Sequence, residues 1–272
     1  MNKPISFILI LLAGLSVLLS ACGSEPSWEN VKVSSTVPLL SAENVQVKWS
    51  LDDGEIPVSG KETQIQIRIM QSNGAPIETF ETNHEKLLHL IVISKDLSYF
   101  NHIHPEYKGN GIFEIENGFP AGGDYRLIAD FKPAGGDAMT KMTWTSIGGK
   151  SSGLQLVIPD KELVHNAQGV KVTLLIDRLE SGQESKLTFT FADEQTNEPI
   201  TDLEPYLGAI GHVVILSEDG ERYVHVHAEE GQATGPEAVF ETAFRTAGVY
   251  KIWGQFQRNQ QVFTVAYVVN VK

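Results

Sequence analysis

The sequence has a single cysteine, Cys22, and this scarcity excludes several kinds of chemistry. A chain with one cysteine forms no internal disulfide. If Cys22 is lipidated, as its neighbours predict below, no thiolate remains to act as a metal ligand or a nucleophile. Blue-copper electron transfer, which needs a cysteine thiolate beside its histidines, is then excluded.

Positive charge is also scarce, with 21 Lys and Arg against 34 Asp and Glu and a formal net charge of −13 at pH 7. Nucleic-acid-binding proteins need clustered Lys and Arg, so we expect no nucleic-acid partner. An acidic surface attracts cations weakly and keeps a protein soluble, which alone discriminates little. The 272 residues, 42% of them hydrophobic, are typical of a globular protein and allow two domains.

Long apolar runs are missing apart from residues 5–19, which follow Lys3 and lead into Leu19-Ser-Ala-Cys22. The run is shorter than a typical membrane span and ends in small residues, as export signals do. Residues 19–22 resemble the bacterial lipobox, in which the cysteine carries lipid. We predict a signal peptide over 1–21, a lipid-anchored tether over 22–42 and an extracytoplasmic location on the bacterial cell membrane. An uncleaved membrane anchor with a chance cysteine is the alternative.

No stretch of the mature chain has a convincing helical period. Short alternating runs such as residues 45–49 and 64–70 are separated by Gly, Asn and Pro, a pattern that predicts strands. The second half repeats the first, with residues 170–174 matching 45–49. A repeat longer than about 100 residues favours tandem domains over a solenoid. We place the domains at 43–149 and 150–272, with the boundary in a Gly/Ser-rich stretch.

Each half also contains a tyrosine just after a glycine turn, in Gly122-Gly-Asp-Tyr125 and Ala247-Gly-Val-Tyr250. This arrangement resembles the tyrosine corner of immunoglobulin-type sandwiches. The cysteine that follows the corner in antibody domains is Leu127 or Ile252 here, as a protein without disulfides would require. The predicted fold is therefore all-β, with two tandem immunoglobulin-like β-sandwich domains after a lipoprotein signal peptide.

Histidines show the most specific pattern in the chain, because six of the eight follow one template that occurs once in each half. One histidine is followed by twelve other residues and then by a His-x-His pair. The two sets are His89, His102 and His104, and His212, His225 and His227.

Each template is predicted to form a β-hairpin with its three histidines on one face. Asp219-Gly220 is typical of a type I′ turn, and counting outward from it places His212 opposite His227 with His225 diagonal. The first template counts in the same way around Asp96-Leu97. Leucine disfavours the positive φ of that turn, so a longer first loop is an alternative. The pattern does not decide which face of each hairpin meets the sandwich core.

Three imidazoles without a thiolate suit Cu(II) or Zn(II), and the affinity order of divalent ions favours copper. The alternative is a pair of half-buried clusters that hydrogen-bond or become protonated together at low pH. Outside the template, His84 and His165 are predicted as surface residues and Asp130 as a strand-end side chain. Met139 and Met142, three residues apart, would point to opposite faces of a strand and serve in packing.

The segments His89-Leu-Ile-Val-Ile-Ser-Lys-Asp-Leu and His102-Ile-His104-Pro-Glu resemble bacterial secreted or lipid-anchored proteins found with heavy-metal, especially copper, handling systems. The single domains are similar to the YtkA-like family of extracytoplasmic β-sandwiches. This resemblance spans nearly all of residues 45–272 and implies a binding role for the six template histidines. The second copy departs from the first in carrying Ala228 where Pro105 stands, and in lacking the acidic residue at 130.

Together these features favour an extracytoplasmic, lipid-anchored metal-binding protein, for copper first and zinc second. It would sequester the ion or hand it to a membrane metal transporter. The alternative is a non-metal envelope interaction or structural module with tandem immunoglobulin-like domains. A three-histidine zinc can activate water, but no bridging histidine set or carboxylate base stands at a recognisable spacing, so we expect no enzyme.

Overall fold

The structure is a computed structural model that describes residues 40–153, 155–224, 226–232 and 234–272. Within these ranges the chain forms β-strands and one 3-10 turn at Asp52–Gly54. No helix in them is long and apolar enough to cross a membrane. The predicted signal peptide, Cys22, all but the end of the tether and His225 lie outside the described residues.

The first repeat folds into two facing antiparallel sheets. One has the strand order β1-β2-β7-β6; in the other, β8 pairs with β3, β4 and β9, and β4 pairs with β5. The strands alternate as their sequence predicts, since Ile65, Ile67 and Ile69 are buried while the intervening side chains are not. The strands are β1 Val45–Leu51, β2 Glu62–Gln71, β3 Phe80–Glu81, β4 Leu88–Ser94, β5 Phe100–Ile103, β6 Glu106–Gly109, β7 Ile112–Gly118, β8 Gly123–Pro133 and β9 Met139–Ile147.

The second repeat builds the same sandwich. Its sheets have the orders β10-β11-β12-β16-β15 and β14-β13-β17-β18. Strands β4, β5 and β8 of the first repeat thus correspond to β13, β14 and β17. The strands are β10 Val164–Ala167, β11 Val170–Ile176, β12 Glu184–Asp193, β13 His212–Ser217, β14 Tyr223–Val224, β15 Val226–Ala228, β16 Glu237–Ala243, β17 Gly248–Arg258 and β18 Gln261–Val271.

Both repeats have the tyrosine corner that the sequence predicts. The Tyr125 hydroxyl donates to the Ala121 carbonyl at 2.8 Å, and the Tyr250 hydroxyl donates to the Thr246 carbonyl at 2.8 Å. Each bond joins the tyrosine to the residue four positions earlier in the chain, just before β8 or β17 begins. The all-β fold with two tandem immunoglobulin-like sandwiches is therefore confirmed.

The two sandwiches pack against each other along an apolar seam. Strand β4 is buried along its whole length, because Leu90 and Val92 face the core of their own sandwich while Ile91 and Ile93 face the seam. Strand β13 is arranged in the same way. The fully or nearly fully buried seam residues are Ile91, Ile93, Leu97, Ile128, Val214, Leu216 and Trp253. The histidine-bearing face of each hairpin therefore meets the other repeat, not its own core.

Polar contacts close the edges of the seam. The Arg126 guanidinium donates to the Glu221 carboxylate at 3.0 Å, and the Trp144 indole donates to the same carboxylate at 2.8 Å. At the corresponding place on the other side, the Lys251 ammonium donates to the Leu97 carbonyl at 2.7 Å. Because equivalent positions of the two repeats meet, the seam is pseudo-symmetric, like an isologous dimer interface within one chain.

The type I′ turn predicted at Asp219-Gly220 is wrong in its geometry. The loop is closed between Ser217 and Arg222, and of the two predicted turn residues only Gly220 has a positive φ, of 73°. The Asp219 carboxylate accepts bonds from the Glu221 amide and the Ser217 hydroxyl, and these bonds hold the loop in another turn. The first repeat is closed in the same way between Ser94 and Tyr99, so both loops are longer than the predicted two-residue turn.

Leu97 stands where Gly220 stands in the second repeat, and it takes a φ of 57°. Its side chain is 0% exposed in the seam. Burying a leucine contributes about 1.5–3 kcal/mol, which outweighs the roughly 1–2 kcal/mol cost of the left-handed backbone. A residue that disfavours the turn locally is therefore stabilised there by packing between the repeats.

The predicted hairpin register is confirmed where the hairpins are paired, since Ile91 lies opposite His102 and Ile215 opposite Val224. The prediction that His212 and His227 share one hairpin face is wrong. After β14 the chain crosses to the opposite sheet, where β15 pairs His227 with Glu241 of β16. The first repeat crosses in the same way from β5 to β6, but only after His104.

Candidate metal centre

Three histidines of the first repeat meet at one end of the seam. His89 lies on β4, His102 on β5 and His104 in the crossing that follows β5. Each offers one ring nitrogen, and these three atoms lie within 4.8 Å of one another. His89 is 2% exposed and His102 is 8% exposed, while His104 is half-buried.

Hydrogen bonds fix the outer nitrogens of two of these rings. His89 Nε2 lies 2.9 Å from the Asn83 carbonyl oxygen, which can only accept, so this nitrogen carries the proton of the neutral ring. His102 Nδ1 lies 2.8 Å from Oε1 of Gln255 on β17. With the amide oriented in this way, Nδ1 of His102 also carries its ring's proton.

The inner nitrogens of the two rings then face each other as lone pairs. His89 Nδ1 and His102 Nε2 are 3.0 Å apart. Two buried lone pairs at this distance need a proton or a cation between them, because nothing else can offset their repulsion. A third such atom lies nearby, since His104 Nε2 is buried and has no hydrogen-bond partner among the described residues.

Burial keeps these rings neutral. It lowers the pKa of His89 to about 4, with smaller contributions from the charges of His84 and Lys86. It lowers the pKa of His102 to about 3 and that of His104 to about 4, and His89 adds to both shifts. All three rings therefore present unprotonated nitrogens at neutral pH, the form in which histidine binds metals.

His212 of the second repeat joins this cluster instead of forming a separate one. Its ring stacks on His102 with centroids 4.6 Å apart and on His89 at 5.5 Å. Burial and the four neighbouring histidine rings lower its pKa well below the usual value. The sequence predicts one cluster in each repeat, whereas the structure brings His212 into the first cluster.

His84, predicted to be an ordinary surface residue, lies at the rim of the same cluster. Its ring centroid is 5.6 Å from that of His212 and 6.2 Å from that of His89. It belongs to a tight turn with positive φ at His84 and Glu85, and the equivalent turn of the second repeat has positive φ at Leu207 and Gly208. These turns meet at the pseudo-symmetry axis, with Gly208 packed near the Glu85 side chain.

The other second-repeat histidines are less informative. His227 is exposed on β15, close enough to His84 for its charge to lower the pKa of that ring. His225 lies outside the described residues. His165 lies on the edge strand β10, away from the seam, with Nε2 3.3 Å from the Asp160 carboxylate.

Asp130 and Gln255 occupy equivalent positions in the two repeats. Asp130 lies beside His89 in the sheet, and Gln255 lies beside His212. Asp130 is 7% exposed, its Oδ1 has no hydrogen-bond partner among the described residues, and burial raises its pKa to about 6. It is more than the strand-end side chain predicted from the sequence.

The two methionines take the opposite faces that their spacing predicts. Met139 packs in the core of the first sandwich, and Met142 packs at the seam. Both side chains therefore serve in packing, as the sequence predicts. The sequence thus predicted the three histidines that meet at the seam. It did not predict the positions of His84, His212 and Gln255, which no local pattern reveals.

Several solved structures share a broad likeness to this chain. The Escherichia coli adhesin FdeC is 16% identical over 84% of this chain and 64% of that chain, with a TM-score of 0.27. Invasin, a bacterial integrin-binding protein, is 10% identical over 82% of this chain and 39% of that chain, with a TM-score of 0.25. Domains 4 and 5 of the S-layer protein SbsC are 12% identical over 84% and 98%, with a TM-score of 0.24.

This chain thus spans less than two thirds of FdeC and of invasin. No curated protein matches the chain. A family model described as a domain of unknown function, DUF8832, matches residues 41–148 and again residues 165–272. The two matches cover most of the chain, which therefore belongs to the DUF8832 family and carries its domain twice.

Proposed function

We propose that this protein binds a transition-metal ion, copper first and zinc second, through His89, His102 and His104. The observation that carries the proposal is the 3.0 Å approach of two inward-facing nitrogens, His89 Nδ1 and His102 Nε2. His104, whose Nε2 is buried and has no hydrogen-bond partner among the described residues, completes a set of three histidines. Histidine nitrogens bind zinc at about 2.0–2.1 Å, so three nitrogens within a few ångströms can share one ion after small shifts of the rings.

The surroundings of the rings also support metal binding. A metal-bound histidine usually donates its other N–H to a carbonyl or carboxylate, which fixes the ring and raises its basicity. His89 has the Asn83 carbonyl in this role, and His102 has the Gln255 amide oxygen. The apolar seam next to the cluster would exclude water and strengthen the coordination.

The choice of metal follows from the ligand chemistry. Neutral imidazoles without a thiolate suit Cu(II) and Zn(II), and copper is favoured by the affinity order of divalent ions. The second-repeat residues predicted as ligands, His212, His225 and His227, have less support. His212 already stacks on the first-repeat rings, and His227 lies on another sheet. We therefore propose one ion per chain.

The proposed role is sequestration of the ion or its handover to a membrane metal transporter. The lipobox at Cys22 supports an extracytoplasmic protein tethered by lipid to the bacterial membrane. The resemblance to YtkA-like sandwiches and to copper-associated lipoproteins belongs to the same proposal. The arrangement suits binding and release without catalysis, and hydrolase and dismutase assays are expected to be negative.

Titration of the full-length protein in detergent with Cu(II) and Zn(II), under competition from a chelator, tests the proposal. The His102→Ala variant should lose at least about 100-fold in affinity, because loss of a supporting residue alone costs 10–100-fold. His165→Ala, a histidine away from the seam, serves as the matched control and should bind like the wild type. Equal affinity of wild type and His102→Ala would reject the proposal.

The second candidate is a non-metal structural or interaction module of the cell envelope. One observation favours it, because a reversed Gln255 amide would donate to His102 Nδ1 and allow His102 Nε2–H to donate to His89 Nδ1. The rings of His89 and His102 would then be satisfied without an ion. This candidate predicts that the protein is purified without metal and that a chelator leaves its melting temperature unchanged.

A further inference from the structure

One proposed metal ligand is held by a residue from the other sandwich. His102 belongs to the first repeat, and its Nδ1 lies 2.8 Å from Oε1 of Gln255 in the second. Both side chains are buried, with His102 8% and Gln255 7% exposed. The bond therefore forms only when the two sandwiches are docked at the seam.

We propose that Gln255 is a positioning residue that holds His102 in the tautomer with Nε2 free for the metal. The metal affinity of the first-repeat histidines therefore depends on the docked second repeat. This inference rests on the proposed metal-binding function. Gln255 does not touch the ion itself but acts through His102.

The two ends of the Gln255 amide face different partners. A carbonyl oxygen only accepts, so with Oε1 facing His102 the ring proton must lie on Nδ1. The other end of the amide, Nε2, lies 3.4 Å from the hydroxyl oxygen of Thr264 on β18, which faces Gln255 in the sheet. The Thr264 hydroxyl can accept from Nε2 in this orientation and can donate to Oε1 in the reversed one, so Thr264 permits both orientations.

The reversed amide has the opposite effect. It would donate to His102 Nδ1 and place the ring proton on Nε2, between His102 and His89, where a metal would have to displace it. The amide of Gln255 thus has one orientation that permits metal and one that satisfies the metal-free rings. Substitutions that permit only one of these arrangements separate the two states.

Gln255→Glu and Gln255→Leu form the informative pair. A carboxylate can only accept from His102 Nδ1–H, so the glutamate variant should bind Cu(II) and Zn(II) at least as tightly as the wild type. Leucine can hold neither tautomer, and this variant should lose about 10–100-fold in affinity. Gln257→Leu makes the same change on the same strand, where the side chain bonds Glu204 instead, and should leave affinity unchanged. Thermal melts confirm that each variant is folded.

Several results would overturn the inference. If Gln255→Leu binds metal like the wild type, Gln255 does not position His102. If the leucine and glutamate variants are weakened equally, Gln255 is only a packing residue. Failure of the wild type to bind metal would instead reject the proposed function. Nitrogen-15 NMR of metal-free Gln255→Glu still decides the positioning role in that case, because Nδ1 of His102 must carry a proton, and a bare Nδ1 would overturn it.

Discussion

The two repeats carry the same histidine template on the same fold and yet place the histidines differently. In the first repeat all three converge, whereas in the second His212 joins the first cluster and His227 lies on the opposite sheet. The difference begins where the chain crosses between sheets. Proline at position 105 has no N–H for a ladder and β6 starts after it, so His104 stays outside the second sheet.

Ala228 stands at the equivalent position of the second repeat and imposes no such limit. Strand β15 therefore runs from Val226 to Ala228 and includes His227, which pairs with Glu241. The two repeats already differ one residue before the last histidine, since Ile103 pairs with Leu90 of its own hairpin while Val226 pairs with Thr242 of the opposite sheet. A template of spaced histidines does not define a site until the strand that carries it is known.

A second difference lies in the polar residue buried beside each template. Gln255 is neutral and bonded to His102, whereas Asp130 is a buried carboxyl whose Oδ1 has no hydrogen-bond partner in the described part of the chain. The second repeat therefore provides a hydrogen-bond acceptor, Gln255, for a histidine of the first repeat. The first repeat instead buries a carboxyl group, Asp130, that is costly to ionise. The two repeats therefore bury different polar groups at the same position of the fold, an amide in one and a carboxyl in the other.

Acid is expected to cause the largest change in stability, because it protonates the buried histidine rings of the first cluster. The pKa values of His89 and His104 are about 4 and that of His102 about 3, against an unfolded value near 6.5. Groups with depressed pKa values contribute stability that is complete above the unfolded value and is lost as pH falls toward the folded value. The metal-free protein should thus lose several kcal/mol of unfolding free energy from neutral pH to about pH 4.

Urea unfolding of the metal-free protein across this pH range checks the prediction. His102→Gln should flatten the acid loss, since it removes one of the groups that must take up a proton. His165→Gln, which changes a histidine outside the seam, should reproduce the wild-type curve. A stability that stays constant from neutral pH to about pH 4 would contradict the buried, neutral cluster.

Asp130→Asn should have the next largest effect, with the opposite dependence on pH. Burial raises the pKa of Asp130 from 3.8 to about 6, so ionising it destabilises the folded state as pH rises through this window. The asparagine variant should gain up to about 3 kcal/mol of unfolding free energy above pH 6 and little below pH 4. Asp137→Asn, at an exposed acid, is the control. No gain at high pH would mean that Asp130 has a partner in solution.

Substitutions at Leu97 and Gly220, the equivalent positions of the two hairpin loops, should change the unfolding free energy by a smaller amount. Leu97→Gly loses a fully buried side chain but relaxes a φ of 57°, for a net loss of about 1–2 kcal/mol. Gly220→Ala should cost a similar amount, because a Cβ there would lie 2.7 Å from the Trp144 ring. Gly74→Ala, at a positive φ with open space around it, isolates the backbone strain. Equal losses at Gly220 and Gly74 in urea unfolding would show that the seam is looser than described.

Substitutions at the two tyrosine corners should have the smallest effect on stability. Tyr125→Phe and Tyr250→Phe each remove one hydroxyl bond to a backbone carbonyl, and each should cost about 1 kcal/mol. Thermal melts of the two single variants check that the losses agree. A loss confined to one repeat would break the equivalence of the two corners.

The sequence predicts most features that depend on neighbours along the chain. Alternation predicted the strands, the glycine turns predicted the two tyrosine corners, and the hairpin count placed His102 opposite Ile91. The convergence of His84 and His212 was not predictable, because it depends on packing between sheets more than 100 residues apart in the chain, as His89 and His212 show. The change from Pro105 to Ala228 was visible in the sequence, but its consequence appears only once the strand crossing is known.

Metal stoichiometry tests the central claim most directly. Full-length protein saturated with Cu(II) or Zn(II) and freed of excess ion should retain one metal ion per chain by elemental analysis. His104→Ala should retain much less, and His227→Ala, at the equivalent position of the second repeat, should still retain one. Two ions per chain, or equal losses from the two variants, would contradict a single centre built from the first repeat.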